Sequence, residues 1–406
     1  MKKYFLPVIM LAIFIEVGVL SLPKAHFSET GASLSKKSLV EYADQVLAKC
    51  HYKDKDNFNP GCYDEEIPKL MDRISMEDAF AVTKVVQEKE PRYLYCHVLG
   101  HKLSYRETEK DPSKWMDVIT RCPATMCNNG CLHGSMMERY KSESLTDVQI
   151  EELKPDVQVI CEPRGKWNPA PVEISMCYHA IGHLFMYITN ADLKKSAELC
   201  AFIGNKADGR NYVQTCTQGV FMQIYQPLEP EDYALVAKIT PRKNEVDTFC
   251  SKFSGMSYMA CHVESWPLSI QGLLTSQGLD SFCKFAKTET EVRTCYSVVI
   301  NMATMSFMIP KEDVDGFKDY CLGLKSPAMR TECFGDGATR LVQIDPAYTS
   351  LAVRVCASAE KVGEDCFSRL SQYSLNSFHP GSKEFYNYCD KLPEPWKEKC
   401  INMVNK

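Results

Sequence analysis

The chain has 406 residues, 45% of them hydrophobic and 24% charged, with a formal net charge of −5. That length can bury a large core or build an extended array. The charge is slight and spread without long runs, which argues against a nucleic acid partner held through its phosphates.

The chain opens on Met1, Lys2 and Lys3, followed by an apolar run from Tyr4 to Leu22 that only Glu16 interrupts. Lysines ahead of such a run mark an export signal. Residues 1–25 read either as a signal peptide cleaved after Ala25 or as an uncleaved N-terminal membrane anchor. Pro23 at the −3 position makes the cleavage site a poor one. No later stretch is long and apolar enough to span a bilayer. Twenty cysteines behind an export signal predict disulfides in an oxidising, extracytoplasmic space, whether the protein is periplasmic, secreted or anchored. Cysteine-rich zinc sites would need C-x-x-C pairs, and the chain has none. The absence of any N-x-S/T acceptor fits a bacterial envelope protein.

Residues 26–95 read as an N-terminal helical region in which Cys50 and Cys62 pair locally. Cys96, Cys122, Cys127 and Cys131 then lie close together, and four cysteines allow three connectivities. The spacing seen farther along favours Cys122 with Cys131, leaving Cys96 with Cys127.

From residue 161 the cysteines become periodic: Cys161/Cys177, Cys200/Cys216, Cys250/Cys261, Cys283/Cys295, Cys321/Cys333, Cys356/Cys366 and Cys389/Cys400. The second members recur every 33 to 45 residues, the length of a two-helix repeat. A helix-period apolar stretch follows most of them, as in Tyr178 to Ile188 and Tyr296 to Met308, and polar loops such as Lys287 to Arg293 and Gly323 to Thr331 precede them. Short helices are marginal alone. A disulfide closing a loop of this size contributes about 3 kcal/mol, and stacking the pairs buries a continuous seam. The predicted fold is therefore all-α, an α/α solenoid of disulfide-stapled helix pairs. Residues 96–228 carry the histidine-bearing repeats and residues 229–406 the C-terminal disulfide-linked repeats.

Six of the nine histidines follow a helix-opening cysteine: His97, His101, His133, His179, His183 and His262. His97-Val98-Leu99-Gly100-His101 and His179-Ala180-Ile181-Gly182-His183 are one motif, H-x-x-G-H. Histidines four apart stand over one another on a helix face and can reach one ion. The glycine between them costs about 1 kcal/mol of helix stability against alanine and lets a ligand or backbone approach. Counting from the opening cysteine puts His133, His179 and Gln218 in one register position and Met137, His183 and Met222 in another. Equivalent positions of a solenoid line one face. Around the helix after Cys177, Ile181, Leu184, Phe185 and Ile188 mark the core side, and the histidines lie off it.

The predicted metal ligands are His97, His101, His133, His179 and His183. His262 and Glu138 are the candidate catalytic or acid–base residues. Neutral imidazoles suit zinc, iron or copper over magnesium or calcium, and nearby methionines suit copper, although methionine is more often a gap filler between helices. No P-loop, nucleophile elbow, dinucleotide fingerprint or C-x-x-C-H haem site is present. One functional reading is an exported metal-binding protein, with a metal-dependent oxidoreductase or hydrolase as its enzymatic form. The other is a non-enzymatic envelope scaffold that holds a protein partner on its C-terminal repeats.

The strings Cys177-Tyr178-His179-Ala180-Ile181-Gly182-His183-Leu184-Phe185-Met186 and Cys216-Thr217-Gln218-Gly219-Val220-Phe221-Met222 resemble the patterns C-x-H-G-x-G-H-x-x-M and C-x-x-G-V-F-M of poorly characterised exported bacterial Cys/His-rich helical-repeat proteins. Ala180 stands where those have glycine. The later repeats resemble disulfide-containing Sel1-like repeats in architecture alone. The resemblance implies an exported helical-repeat protein and carries no activity.

Overall fold

In the computed structural model, residues 33–50, 58–140, 144–204, 206, 208–309 and 311–405 are described. The predicted signal peptide or anchor, 1–25, lies outside the described residues. Residues 35–406 form one unit by their internal contacts.

This unit is all-α, as predicted. It begins with α1 (Lys36–Cys50), α2 (Pro60–Lys69) and α3 (Met76–Lys89). Helix pairs follow: α4 (His97–Glu109), α5 (Trp115–Thr120) and α6 (Gly130–Tyr140), then α7 (Asp147–Val159) with α8 (Pro171–Ile188), and α9 (Leu193–Cys200) with α10 (Tyr212–Tyr225). Next come α11 (Pro230–Val236), α12 (Val246–Cys250) and α13 (Gly255–Glu264), then α14 (Ile270–Leu273), α15 (Ser276–Phe282) and the long α16 (Glu289–Met308). The last are α17 (Val314–Leu322) with α18 (Pro327–Ile344), α19 (Thr349–Ser358) with α20 (Gly363–Ser377), and α21 (Lys383–Cys389) with α22 (Trp396–Ile401). Among the described residues no helix is long and apolar enough to cross a membrane.

Local sequence explains where these helices start. Thr288 caps α16 by accepting from the Glu291 N–H, and Glu291 answers the Thr288 N–H at 2.9 Å. This capping box starts the helix inside the stretch expected to be loop. Ser326 likewise caps α18, with Pro327 at its first position, inside the predicted loop Gly323 to Thr331. Capping thus outweighed the polarity of both segments. On α8 the expected core side is buried: Ile181, Leu184, Phe185 and Ile188 are each at most 2% exposed.

All twenty cysteines are paired and none is free. The seven periodic pairs, Cys50–Cys62, Cys96–Cys127 and Cys122–Cys131 form as expected, with Cα–Cα distances from 4.5 to 5.8 Å. In the later repeats each bond ties the end of a first helix to its second helix, as Cys200 of α9 to Cys216 of α10. Ten disulfides place the protein in an oxidising, extracytoplasmic setting.

The second helices stack in order, α4 on α6, α8, α10, α13, α16, α18 and α20. The stack then returns on itself, because α20 packs against α8. His379, just past α20, meets the Asn168 carbonyl at 2.6 Å across 211 residues of chain. The C-terminal pairs therefore back the histidine-bearing ones, which repeat spacing alone does not reveal.

Candidate metal centre

The two most extensive helix pairings are α4 with α6 and α8 with α10. Glycine permits both. A Cβ built on Gly130 of α6 would lie 2.1 Å from the His97 carbonyl oxygen, and one on Gly219 of α10 would lie 2.1 Å from the His179 carbonyl oxygen. Gly100 and Gly182, inside the two H-x-x-G-H motifs, make the reciprocal approach, with a Cβ 2.9 Å from the Cys131 nitrogen and 2.1 Å from the Cys216 oxygen. No side chain fits at such distances, so backbones touch and the adjacent imidazoles are drawn together.

This contact corrects the register counted from cysteine. Gly130 matches Gly219, so His133 matches Met222, not Gln218, and Gly134 matches Gln223. Cys131 follows its glycine by one residue while Cys216 precedes its own by three, a shift of about one helical turn. The disulfide can slide by a turn on the same helix. The glycine contact cannot.

The five predicted ligands converge. Ring centroids are 4.6 Å apart for His97 and His101, 5.1 Å for His97 and His133, and 5.2 Å for His101 and His133. His133 also lies 5.8 Å from His179 and 5.4 Å from His183, which are 5.0 Å from each other. The ligand atoms of His97, His101 and His133 all lie within 4.8 Å of one another, and this buried group can hold a metal ion. The Nε2 atoms of His97 and His101 are 3.1 Å apart, and those of His183 and His179 are 3.2 Å apart. Two nitrogen ligands at tetrahedral angles around one zinc ion would stand about 3.3 Å apart.

Hydrogen bonds aim the rings. His97 Nδ1 donates to the Asn128 carbonyl at 3.2 Å, which leaves its Nε2 lone pair toward the cluster. The turn that presents this carbonyl runs through Cys127, Asn128 and Asn129, all left-handed, with φ of 51°, 46° and 58°. The Cys96–Cys127 bond tethers it beside His97. Such backbone is strained for residues other than glycine and persists where the surroundings enforce it. His183 Nδ1 donates to Gln223 Oε1, and Gln223 Nε2 donates to Asp232 Oδ1 at 2.6 Å. Asp232 is fixed in turn by the backbone N–H groups of Leu228 and Glu229, at 3.0 and 3.1 Å. His133 Nε2 is buried with no hydrogen-bond partner.

Burial pushes all five imidazoles below the ordinary value of 6.5, His97 to about 4 and His179 to about 3. They are neutral at pH 7, the form that binds metal. Arg340 of α18 adds positive charge that lowers His97 and His179 further. Its guanidinium meets Gln343 at 2.9 Å and Met305 sulfur at 3.4 Å, and its Nε is buried without a partner.

The centre is small. His97, His101, His133 and His183 share a cavity of about 20 Å³ with Met137, Met222, Gln223 and Asp232. That is room for about one water or ion, far below the size of a metabolite. A second cavity of about 20 Å³ adjoins it at His101, Gly134 and Met137, beside Glu229 and Glu231.

Neither candidate acid–base residue belongs to the three-histidine group. His262 on α13 rests on Phe285, with centroids 4.5 Å apart, and its Nδ1 is 3.8 Å from Asp247. It lines a different cavity, of about 420 Å³. Glu138, near the end of α6, is buried and outside the three-histidine group. Burial raises its carboxyl to about 7, helped by the charges of Glu109 and Glu231. Sequence reasoning did not reach Asn128, Gln223, Asp232 or Arg340. A lone glutamine or asparagine carries no periodic signal, and Arg340 arrives from the far end of the chain.

No family model, no curated protein and no solved structure matches the chain. The functional reading therefore stands on the geometry.

Proposed function

We propose that this is an extracytoplasmic transition-metal-binding protein whose centre is built from His97, His101 and His133, with His179 and His183 adjoining. The observation that carries the reading is the His97–His101 Nε2 separation of 3.1 Å beside the orphaned Nε2 of His133. Three buried neutral imidazoles, one of them with an unpartnered Nε2, form a ligand set for zinc, iron or copper. Three protein ligands also leave an ion one open position, the arrangement that hydrolytic and redox centres share. The cavity limits any chemistry there to molecules of about the size of water. Glu229 and Glu231 beside the adjoining cavity favour entry of cations. In this reading the C-terminal pairs serve the centre as scaffold, and residues 1–25 direct the chain out of the cytoplasm.

Thermal unfolding with and without a chelator tests the reading. A ligand present at about 1,000 times its Kd stabilises by about 4 kcal/mol. The chelator should lower the melting temperature of the wild type by more than that of His133→Ala. A wild type whose melting temperature responds neither to chelator nor to added zinc, iron or copper would overturn it.

A further inference from the structure

The equivalence of α4/α6 with α8/α10 extends to the ligands. Aligned on their glycine contacts, His97, His101 and His133 correspond to His179, His183 and Met222. The second set is a triad in its own right. His179 Nε2 lies 3.2 Å from His183 Nε2 and 3.2 Å from the Met222 sulfur. We propose that His179, His183 and Met222 form a second metal site, selective for copper(I), beside the three-histidine site. The inference rests on the metal-binding reading and adds to it a second ion, a thioether ligand and a metal preference.

The ring hydrogen bonds support the assignment. His183 Nδ1 carries its proton toward Gln223, because the Gln223 amide nitrogen is already donating to Asp232. His179 Nε2 faces both the His183 Nε2 and the Met222 sulfur, each at 3.2 Å. The His183 Nε2 lone pair then points at His179 Nε2, which stands beside the Met222 sulfur. The Asp232–Gln223–His183 relay has no counterpart in the first triad, where Gly134 occupies the place of Gln223. It fixes the ring of His183 in the manner typical of metal-bound histidines.

Softness separates the two sites. Three imidazoles accept zinc, iron or copper, whereas a thioether discriminates in favour of copper(I). All twenty cysteines are in disulfides, so no thiolate competes for that role.

The test is anaerobic copper(I) titration of the full chain, disulfides intact, against a copper(I)-chelating dye, with X-ray absorption at the copper edge. The wild type should take up two equivalents and show a sulfur neighbour to copper. Met222→Leu, nearly isosteric, should weaken one equivalent by about tenfold or more and remove the sulfur signal. Met137→Leu, in the same cavity, should keep both. Copper with nitrogen neighbours alone in the wild type would overturn the proposal, as would unchanged affinities in Met222→Leu. One equivalent that depends on His133, with no sulfur, would sink the second site and leave the metal-binding reading standing. No binding of copper or zinc by the wild type would sink both.

Discussion

Gly130 lies so close beneath His97 that a Cβ on the glycine would stand 2.1 Å from the histidine carbonyl oxygen. This contact, repeated between Gly219 and His179, sets the spacing on which the histidine cluster depends. Gly130→Ala must push α4 and α6 apart. The expected cost is about 1–3 kcal/mol in a denaturant melt, the range for overpacking, together with loss of bound metal. Gly272 has nothing within 4 Å of its would-be Cβ, and Gly272→Ala should cost nothing. Equal effects of the two substitutions would mean that the close approach does not organise the centre.

The Cys96–Cys127 bond closes a sequence separation of 31 residues and holds the strained turn that offers Asn128 to His97. Replacing both cysteines by alanine should cost about 3–4 kcal/mol of stability through loop entropy. Metal affinity should fall by about tenfold or more as His97 loses its fixed orientation. The same replacement at Cys389 and Cys400, in the last helix pair, should cost a similar amount of stability and leave metal affinity unchanged. Titration of the two variants in parallel separates the effects.

Much of this was legible in advance. Cysteine period and helix-period apolar runs were enough to anticipate the helix pairs and the seven periodic disulfides, because both are local features, whereas the pairing of Cys96, Cys122, Cys127 and Cys131 rested only on extending that spacing to the front of the chain. The H-x-x-G-H motif showed which face of α4 and α8 would carry the clustered histidines. The return of α20 onto α8 was not legible, since a small rotation per repeat accumulates over many repeats and leaves no mark on spacing. The register of His133 with Met222 was misread for a physical reason. The cysteines are the conspicuous landmarks, but the glycine contacts decide which residues face one another.

Glu264 is buried on α13, where desolvation raises its carboxyl to about 8 despite the hydrogen bond from Gln226 at 3.0 Å. The folded state therefore keeps a proton that the unfolded chain, near 4.5, gives up. Stability from this group is present below about pH 4.5 and declines as pH rises toward 8. Glu264→Gln removes that decline. The melting temperature of the variant minus that of the wild type should increase steadily from pH 5 to pH 8. A flat difference would mean that the carboxyl ionises freely in the folded protein.

His262 stacks on Phe285 and lines its own cavity, apart from the five clustered histidines. His262→Ala should leave metal stoichiometry and affinity unchanged and lower stability by about 1–3 kcal/mol through lost packing. A drop in bound metal would show that the ring acts on the centre at a distance.

The central claim is that His97, His101 and His133 hold a transition metal. Metal content by mass spectrometry, on protein purified from an oxidising compartment beside a His101→Ala/His133→Ala double variant, tests it most directly. One or two equivalents of zinc, iron or copper in the wild type, with the equivalent at this triad missing from the variant, is the predicted result. The same metal content in both proteins, or none in the wild type after reconstitution, would contradict it.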